Sequence, residues 1–436
     1  MNITDQVVSR VFFIPLCLFF RVLLDFSYIY FVMPVFSHMG YEMNVDLFSY
    51  TMSWLLYFGF LVLTPHHLKR ISDYFLVMAA LAILAPLTSY YGLTASYAFP
   101  VLATELSLLA IYLLTRPGVV KVPALPILRE GPILGAGVSI CMVAFLVVWY
   151  WMSGAVRYFN LNVTEVYNYR EASAELANVG LLSYVNSWVY QVFSLFSLAW
   201  ALYKRYFGLF LIFFGVQVFF YGVAAHKSLL FYPFIIFGIW FYFRKTTSLI
   251  VVPLIFVSAV TLSLLSYFVL DNILVGSMFI RRVFFVPAVL TYDYFNFFDS
   301  HQFVWWSNSF LANFLEYPYE NNVSKVIGEY NGSGSHANNG YVSSGYAHAG
   351  VLGILSYSVI LGLVIRFIDV ASANKVPNWF ALAITVVPLR SVLISSDLFT
   401  VMLTHGLLIA ILLLLSFRCS PRRNKSVAMP RSHNSL

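Results

Sequence analysis

The 436-residue chain is 61% hydrophobic and only 10% charged, with a formal net charge of +7. A soluble domain carries about 25% charged residues and could not bury this much apolar surface, so the composition excludes a soluble fold and places the chain in a lipid bilayer. The positive charge sits in short segments between apolar runs, without a basic–aromatic stripe, so no nucleic-acid partner is expected.

A short polar stretch ending at Arg10 leads into an apolar run without a small-residue cleavage site, which predicts a retained first helix rather than a cleaved signal. Spanning helices need about 20 mostly apolar residues. The runs predict about 12 of them, at 11–34, 46–64, 73–92, 95–115, 132–152, 179–202, 206–225, 228–243, 247–270, 347–365, 379–395 and 398–417. The expected fold class is therefore an all-α, polytopic integral membrane protein, one transmembrane unit over 1–436. With a cytoplasmic N-terminus, the segments 1–10, 65–72, 116–131, 203–205, 244–246, 366–378 and the tail 418–436 hold 17 of the 25 Lys and Arg residues, as the positive-inside rule requires. Both termini are then cytoplasmic, and two sizeable loops, 153–178 and 271–346, face outward. Within the second, 283–298 is apolar and aromatic and reads as an interfacial helix or a pair of half-spans. Cys17, Cys141 and Cys419 have neither disulfide nor metal-ligand spacing.

Chemistry is expected in the outer loops. Arg281 and Arg282 are adjacent where topology does not call for positive charge; their forked donors suit a phosphate or diphosphate, or else they snorkel to lipid headgroups. The stretch from Gly328 to Gly350 concentrates Gly, Ser, Asn and aromatic residues. Asn338, Asn339 and Ser335 offer sugar-type hydrogen bonds, Tyr341 and Tyr346 offer stacking faces, and His336 and His348 offer a base or donor; the plain alternative is a flexible linker, with His348 a structural histidine at the head of a span. In the shorter loop, Glu171 and Glu175 share a helical face, as a solvated pair or as partners of Arg170, which itself suits a phosphate. Charges inside apolar runs are costly and point to function: Lys227 beside His226, Glu105, Arg390 and Asp397. Arg21 and Asp25, four apart, are expected to neutralise each other. No P-loop, dinucleotide fingerprint or acidic metal motif is present, so no cofactor and no metal are expected.

Three stretches, Tyr169-Arg170 to Gly180, Phe279-Ile280-Arg281-Arg282-Val283-Phe284-Phe285-Val286-Pro287, and Asn338-Asn339-Gly340-Tyr341 to Gly350, together with His226-Lys227-Ser228, resemble the Wzy-type O-antigen polymerases. Arg170 and Gly180 are ten apart where some members space Arg and Gly by eleven, and nothing comparable follows Arg281. The resemblance implies a fold similar to the GT-C class in the bacterial inner membrane, surrounded by membrane lipids. The implied activity transfers a growing glycan from undecaprenyl diphosphate onto an incoming undecaprenyl-diphosphate-linked oligosaccharide at the periplasmic face. A chain-length regulator in the same membrane is the expected partner. Under this expectation Arg281 and Arg282 stabilise the leaving diphosphate, His336 is the base with His348 or Glu171 in reserve, and Arg170, Lys227, Asn339 and Tyr341 bind substrate. An O-antigen ligase uses the same chemistry. A flippase for lipid-linked oligosaccharide is the non-enzymatic alternative, though the chain lacks the internal repeat common in transporters.

Overall fold

The computed structural model describes residues 3–123, 125–128, 130–162 and 173–418. These are all-α, their one extended pairing being an isolated bridge between His67 and Ser248. In chain order the apolar helices are α1 (Val11–Met39), α2 (Leu47–Leu63), α3 (Ile71–Thr94), α4 (Phe99–Thr115) and α5 (Gly131–Met152). The continuous helical stretch 182–203 is α6. Then come α7 (Phe207–Ala224), α8 (Ser228–Phe243), α9 (Val251–Leu270) and α10 (Ile273–Ser300), and the small polar α11 (Val323–Tyr330). The last four are α12 (Tyr341–Ser372), α13 (Asn378–Ile394), the short α14 (Leu398–Leu403) and α15 (Leu407–Phe417). Seven of these, α1, α3, α5, α7, α9, α10 and α12, are long and apolar enough to cross a bilayer. The chain is a polytopic membrane protein.

Contacts sort the connections into two ends of the bundle. At one end Arg70 Nη1 donates to Thr115 O (2.8 Å), Asn378 Nδ2 to Leu68 O (3.0 Å) and Arg366 Nε to Val120 O (3.4 Å). Phe13 packs on His66 and Phe417 stacks on Phe380 at the same end, so the described chain starts and finishes there. These are the basic connections. The opposite end carries the long connections and is called the loop end below.

The interior satisfies its buried charges locally. Arg21 is fully buried and pairs with Asp25; its remaining donors reach Thr88 Oγ1 and Ser53 Oγ, and its guanidinium lies over the Trp54 ring. Buried polar groups persist only when partnered in this way. Helix α13 is apolar all round, the pattern of a helix enclosed by others. Every residue from Trp379 to Leu393 is buried except Arg390, which is exposed and has no hydrogen-bond or ion-pair partner among the described residues.

Two elements go further than the sequence expectation. The helical segment read at 283–298 within 271–346 is longer than expected, α10 covering 28 residues. This helix follows Asp271 at the loop end of α9. Its middle packs Phe284 on Phe20 and Phe256, and its last turns pack Tyr292 on Tyr97 and Phe295 on Phe99. Both of its ends lie at the loop end, so α10 runs obliquely through that half of the bundle. Its centre is a π-helical segment, Ser277–Phe285, carrying both arginines; π segments widen a helix and recur at functional sites.

Helix α12 is likewise not straight. Ala349 and Gly350 leave helical geometry, Gly350 with φ 57° and ψ −137°, a combination open essentially to glycine alone. The chain reverses there. Tyr341 and Ser358 both hydrogen-bond to Ser107 Oγ (2.8 and 2.7 Å), and a Cβ on Gly353 would fall 1.9 Å from the Gly345 carbonyl oxygen. A short arm, 341–348, thus lies antiparallel to a long arm, 351–372, with glycines where the backbones touch.

Candidate functional site

The short arm ends at His348, whose position follows from the hairpin. Helix ends leave carbonyls without intrahelical donors. Here Ala347 O accepts from Val304 N (3.0 Å) and His348 O from Trp305 N (2.8 Å). Making these bonds puts Trp305 and Trp306 in left-handed backbone conformation, φ 51° and 56°, which costs about 1 kcal/mol or more per non-glycine residue. The next amide, Trp306 N, donates to His348 Nδ1 (3.2 Å), and the two rings stack at 5.2 Å and 9°.

A backbone N–H only donates, so His348 Nδ1 is unprotonated and the neutral ring carries its proton on Nε2. That nitrogen faces Asp397 Oδ2 at 3.3 Å. The same oxygen accepts from Tyr357 OH (2.6 Å), and Tyr357 OH accepts from Trp306 Nε1 (2.9 Å). Asp397 Oδ1 caps α14 through Phe399 N and Thr400 N (2.9 and 3.2 Å). Burial pushes the Asp397 carboxyl up, but the hydrogen bonds it accepts from His348, Tyr357 and the Thr400 amide outweigh it and hold the group below its ordinary value. Asp397 is therefore a saturated anion that ties α12, α14 and the 303–306 turn together.

This network forms one wall of a cavity of about 860 Å³ at the loop end. Its lining combines hydroxyls and amides, including Asn308, Asn322, Ser324, Asn338 and Thr400, with the aromatic faces of Tyr184, Tyr294, Phe310 and Phe399. Among the described lining residues Asp397 is the only permanently charged group, and its charge is already spent on four donors.

No protein-family model, curated protein or solved structure matches this chain.

The structure gathers some of the expected residues and separates others. Asn339 and His348 line the cavity, but both are committed inside the protein. Asn339 Nδ2 donates to Pro287 O, Thr291 Oγ1 and Ser343 Oγ, and its Oδ1 accepts from Gly340 N. His348 has both ring nitrogens engaged, so it orients the wall and is not free to take a proton. Tyr341 is fully buried with its hydroxyl on Ser107, and Tyr346 is stacked on Phe295 at 4.0 Å and 3°; neither offers a face to a sugar, because the hairpin turns both inward. His336 stands exposed at the rim, its Nδ1 3.0 Å from Ser324 Oγ, which lines the cavity.

Arg281 and Arg282 do not line this cavity. They sit 13 and 12 residues before Tyr294 on α10, about 20 Å along a helix axis at about 1.5 Å per residue. Arg282 is exposed, while Arg281 lies over the Phe36 ring (4.6 Å) with Nη1 on Met39 Sδ (3.3 Å) and a buried Nε without a partner. Beside it, burial pushes the Tyr41 phenol up to about 12, partly opposed by Arg281, so a neutral hydroxyl adjoins the guanidinium. Lys227 is half-buried at the N-terminus of α8. Arg170 and Glu171 lie outside the described residues.

Sequence reasoning missed Trp306 and Tyr357. A tryptophan pair before a long polar stretch gives no signal that its backbone will cap a helix 42 positions later. Asp397 stood out as a charge between two apolar runs, though its partners did not.

Proposed function

We propose that this chain is a membrane glycosyltransferase that polymerises lipid-linked oligosaccharides, an O-antigen polymerase. The observation that carries this reading is the 860 Å³ cavity at the loop end, lined by hydroxyls, amides and aromatic faces with its one carboxylate already neutralised. That lining suits a neutral, polyhydroxylated chain, which is bound by hydrogen bonds and by apolar contact with ring faces.

About twelve crossings are inferred: α1 to α9, the long arm of α12, α13 and α15, with α10 and the short arm contained in the loop half. The clustering of basic connections at the opposite end supports cytoplasmic termini and a periplasmic cavity in a bacterial inner membrane. A fold similar to the GT-C class remains part of this proposal.

In the reaction, an acceptor hydroxyl oxygen attacks the anomeric carbon of the donor glycan. The bond from that carbon to the diphosphate oxygen breaks, and its electron pair leaves with undecaprenyl diphosphate. The hydroxyl proton passes to His336 Nε2 at the rim or to the departing phosphate. Arg281 and Arg282 hold a lipid diphosphate, with Tyr41 as a further donor. Because the reacting end of an acceptor unit lies several sugars from its own diphosphate, the separation of about 20 Å along α10 fits the acceptor's lipid end better than the leaving group.

The test is reconstitution of the purified protein with its lipid-diphosphate-linked repeat unit alone. A ladder of oligomers is the expected product. Transfer only when lipid A core is added would make the protein a ligase, and lipid movement across the bilayer without either product would make it a flippase.

A further inference from the structure

We infer that a second, smaller cavity at the loop end is a separate glycan-binding chamber that takes a neutral sugar unit. The inference rests on the glycosyltransferase reading above and deepens it, since polymerisation requires two glycans to be held at once.

The chamber measures about 280 Å³ and is lined by Asn186, Ser187, Tyr190, Gln191, His226 and His405 among others. Its described lining includes no Lys, Arg, Asp or Glu, which disfavours an anion such as a diphosphate. It is too polar for an acyl chain, because hydroxyls, amides and imidazoles surround the space. Amides and hydroxyls alternating with the Tyr150, Tyr190 and Tyr232 rings are what a sugar's hydroxyls and apolar ring faces require.

Two lining side chains are held in fixed orientations. Asn186 is buried to 2% exposure, and its Nδ2 donates to Ala177 O (3.2 Å) and Asn178 Oδ1 (2.5 Å), which fixes the amide. Its Oδ1 is buried and has no hydrogen-bond partner among the described residues. Across the space, the Gln191 side chain holds His405 Nδ1 at 3.0 Å, which orients the ring and leaves Nε2 for a sugar hydroxyl.

The chamber shares a wall with the larger cavity. Tyr184 and Thr404 line one side, Ser183 and His405 the other, and Trp188 Nε1 donates to Leu403 O (2.5 Å) within the wall. Two polar chambers at one end, divided by a single layer of chain, give a growing glycan and an incoming unit adjacent but distinct places.

The test uses the full chain in nanodiscs and saturation-transfer NMR with a panel of neutral saccharides (glucose, galactose, mannose, rhamnose, N-acetylglucosamine, and the disaccharides lactose and diacetylchitobiose). At least one saccharide is expected to receive transfer, and Asn186→Leu and Gln191→Leu are each expected to weaken it at least fivefold, while Asn308→Ala in the larger cavity leaves a residual signal sensitive to Asn186→Leu. Ser228→Val, at the exposed mouth, serves should the buried variants fail to fold. No transfer to any saccharide, or transfer unchanged in folded variants of this chamber, overturns the inference. Saccharide binding at Asn186 without polymer from the lipid-linked unit would overturn the polymerase reading alone; polymer formed at wild-type yield by Asn186→Leu would overturn the chamber alone.

Discussion

The Tyr357 hydroxyl and the Asp397 carboxylate, 40 residues apart, meet at 2.6 Å, and through this bond the long arm of α12 grips the start of α14. The same carboxylate holds His348 and two backbone amides, so one side chain fixes the wall of the large cavity. Asp397→Asn keeps the shape but replaces an anionic acceptor by a weaker one. It is expected to lower stability by about 1–3 kcal/mol, read as a fall in Tm in detergent.

The pH dependence has a definite sign. Asp397 is held below its ordinary value in the folded chain, so its contribution is fully present above the unfolded carboxyl range near 4 and is lost as pH falls through the lower folded value. The Tm difference between wild type and Asp397→Asn is expected to be constant from pH 7 to pH 5 and to shrink below about pH 4. A difference that grows on acidification would contradict the assignment.

Gly353→Ala places a methyl group 1.9 Å from the Gly345 carbonyl oxygen, so the two arms must part. Overpacking of this kind costs about 1–3 kcal/mol. Because the short arm carries His348, oligomer yield should fall together with Tm. Gly215→Ala, where nothing lies within 4 Å of the added carbon, is the control and should leave both unchanged.

Arg390 is the exposed residue on an otherwise enclosed helix and has no ion partner among the described residues. A charge within an apolar membrane segment is unfavourable for stability and points to function. Arg390→Met is therefore expected to raise Tm while lowering polymer yield. A variant that is more stable and fully active would remove Arg390 from any functional role.

Arg281→Lys keeps charge but loses the guanidinium fork. If a diphosphate is gripped bidentately, oligomer yield should drop by about tenfold, a loss of about 1.4 kcal/mol, with Tm unchanged. Full activity in both Arg281→Ala and Arg282→Ala would show that these arginines only face lipid headgroups.

Much of the membrane architecture was legible, because apolar runs and basic connections are properties of local composition. The Arg21–Asp25 pair was equally legible from its spacing of four. What stayed hidden depended on contacts distant in sequence. The aromatic stretch 283–298 read as an interfacial helix or half-spans, but its extension back to Ile273 and its packing on Phe20, Phe99 and Phe256 were not visible. Tyr341 looked like a sugar platform because nothing around it reveals the reversal at Ala349–Gly350. His348 looked like a base because its two hydrogen-bond partners lie 42 residues before it and 49 after it.

The hairpin in α12 also bears on how the protein is made. The short arm leaves the ribosome before the long arm, yet it packs on the long arm as well as on Ser107 of α4 and Phe295 of α10. Eight residues are too few to be inserted as a helix of their own. The arm's packing is complete only once the long arm is threaded through the bilayer, and α14 follows later still with Asp397 at its start. The cavity wall is thus completed only near the end of synthesis, and a chain truncated before α14 should insert its earlier helices without assembling the site.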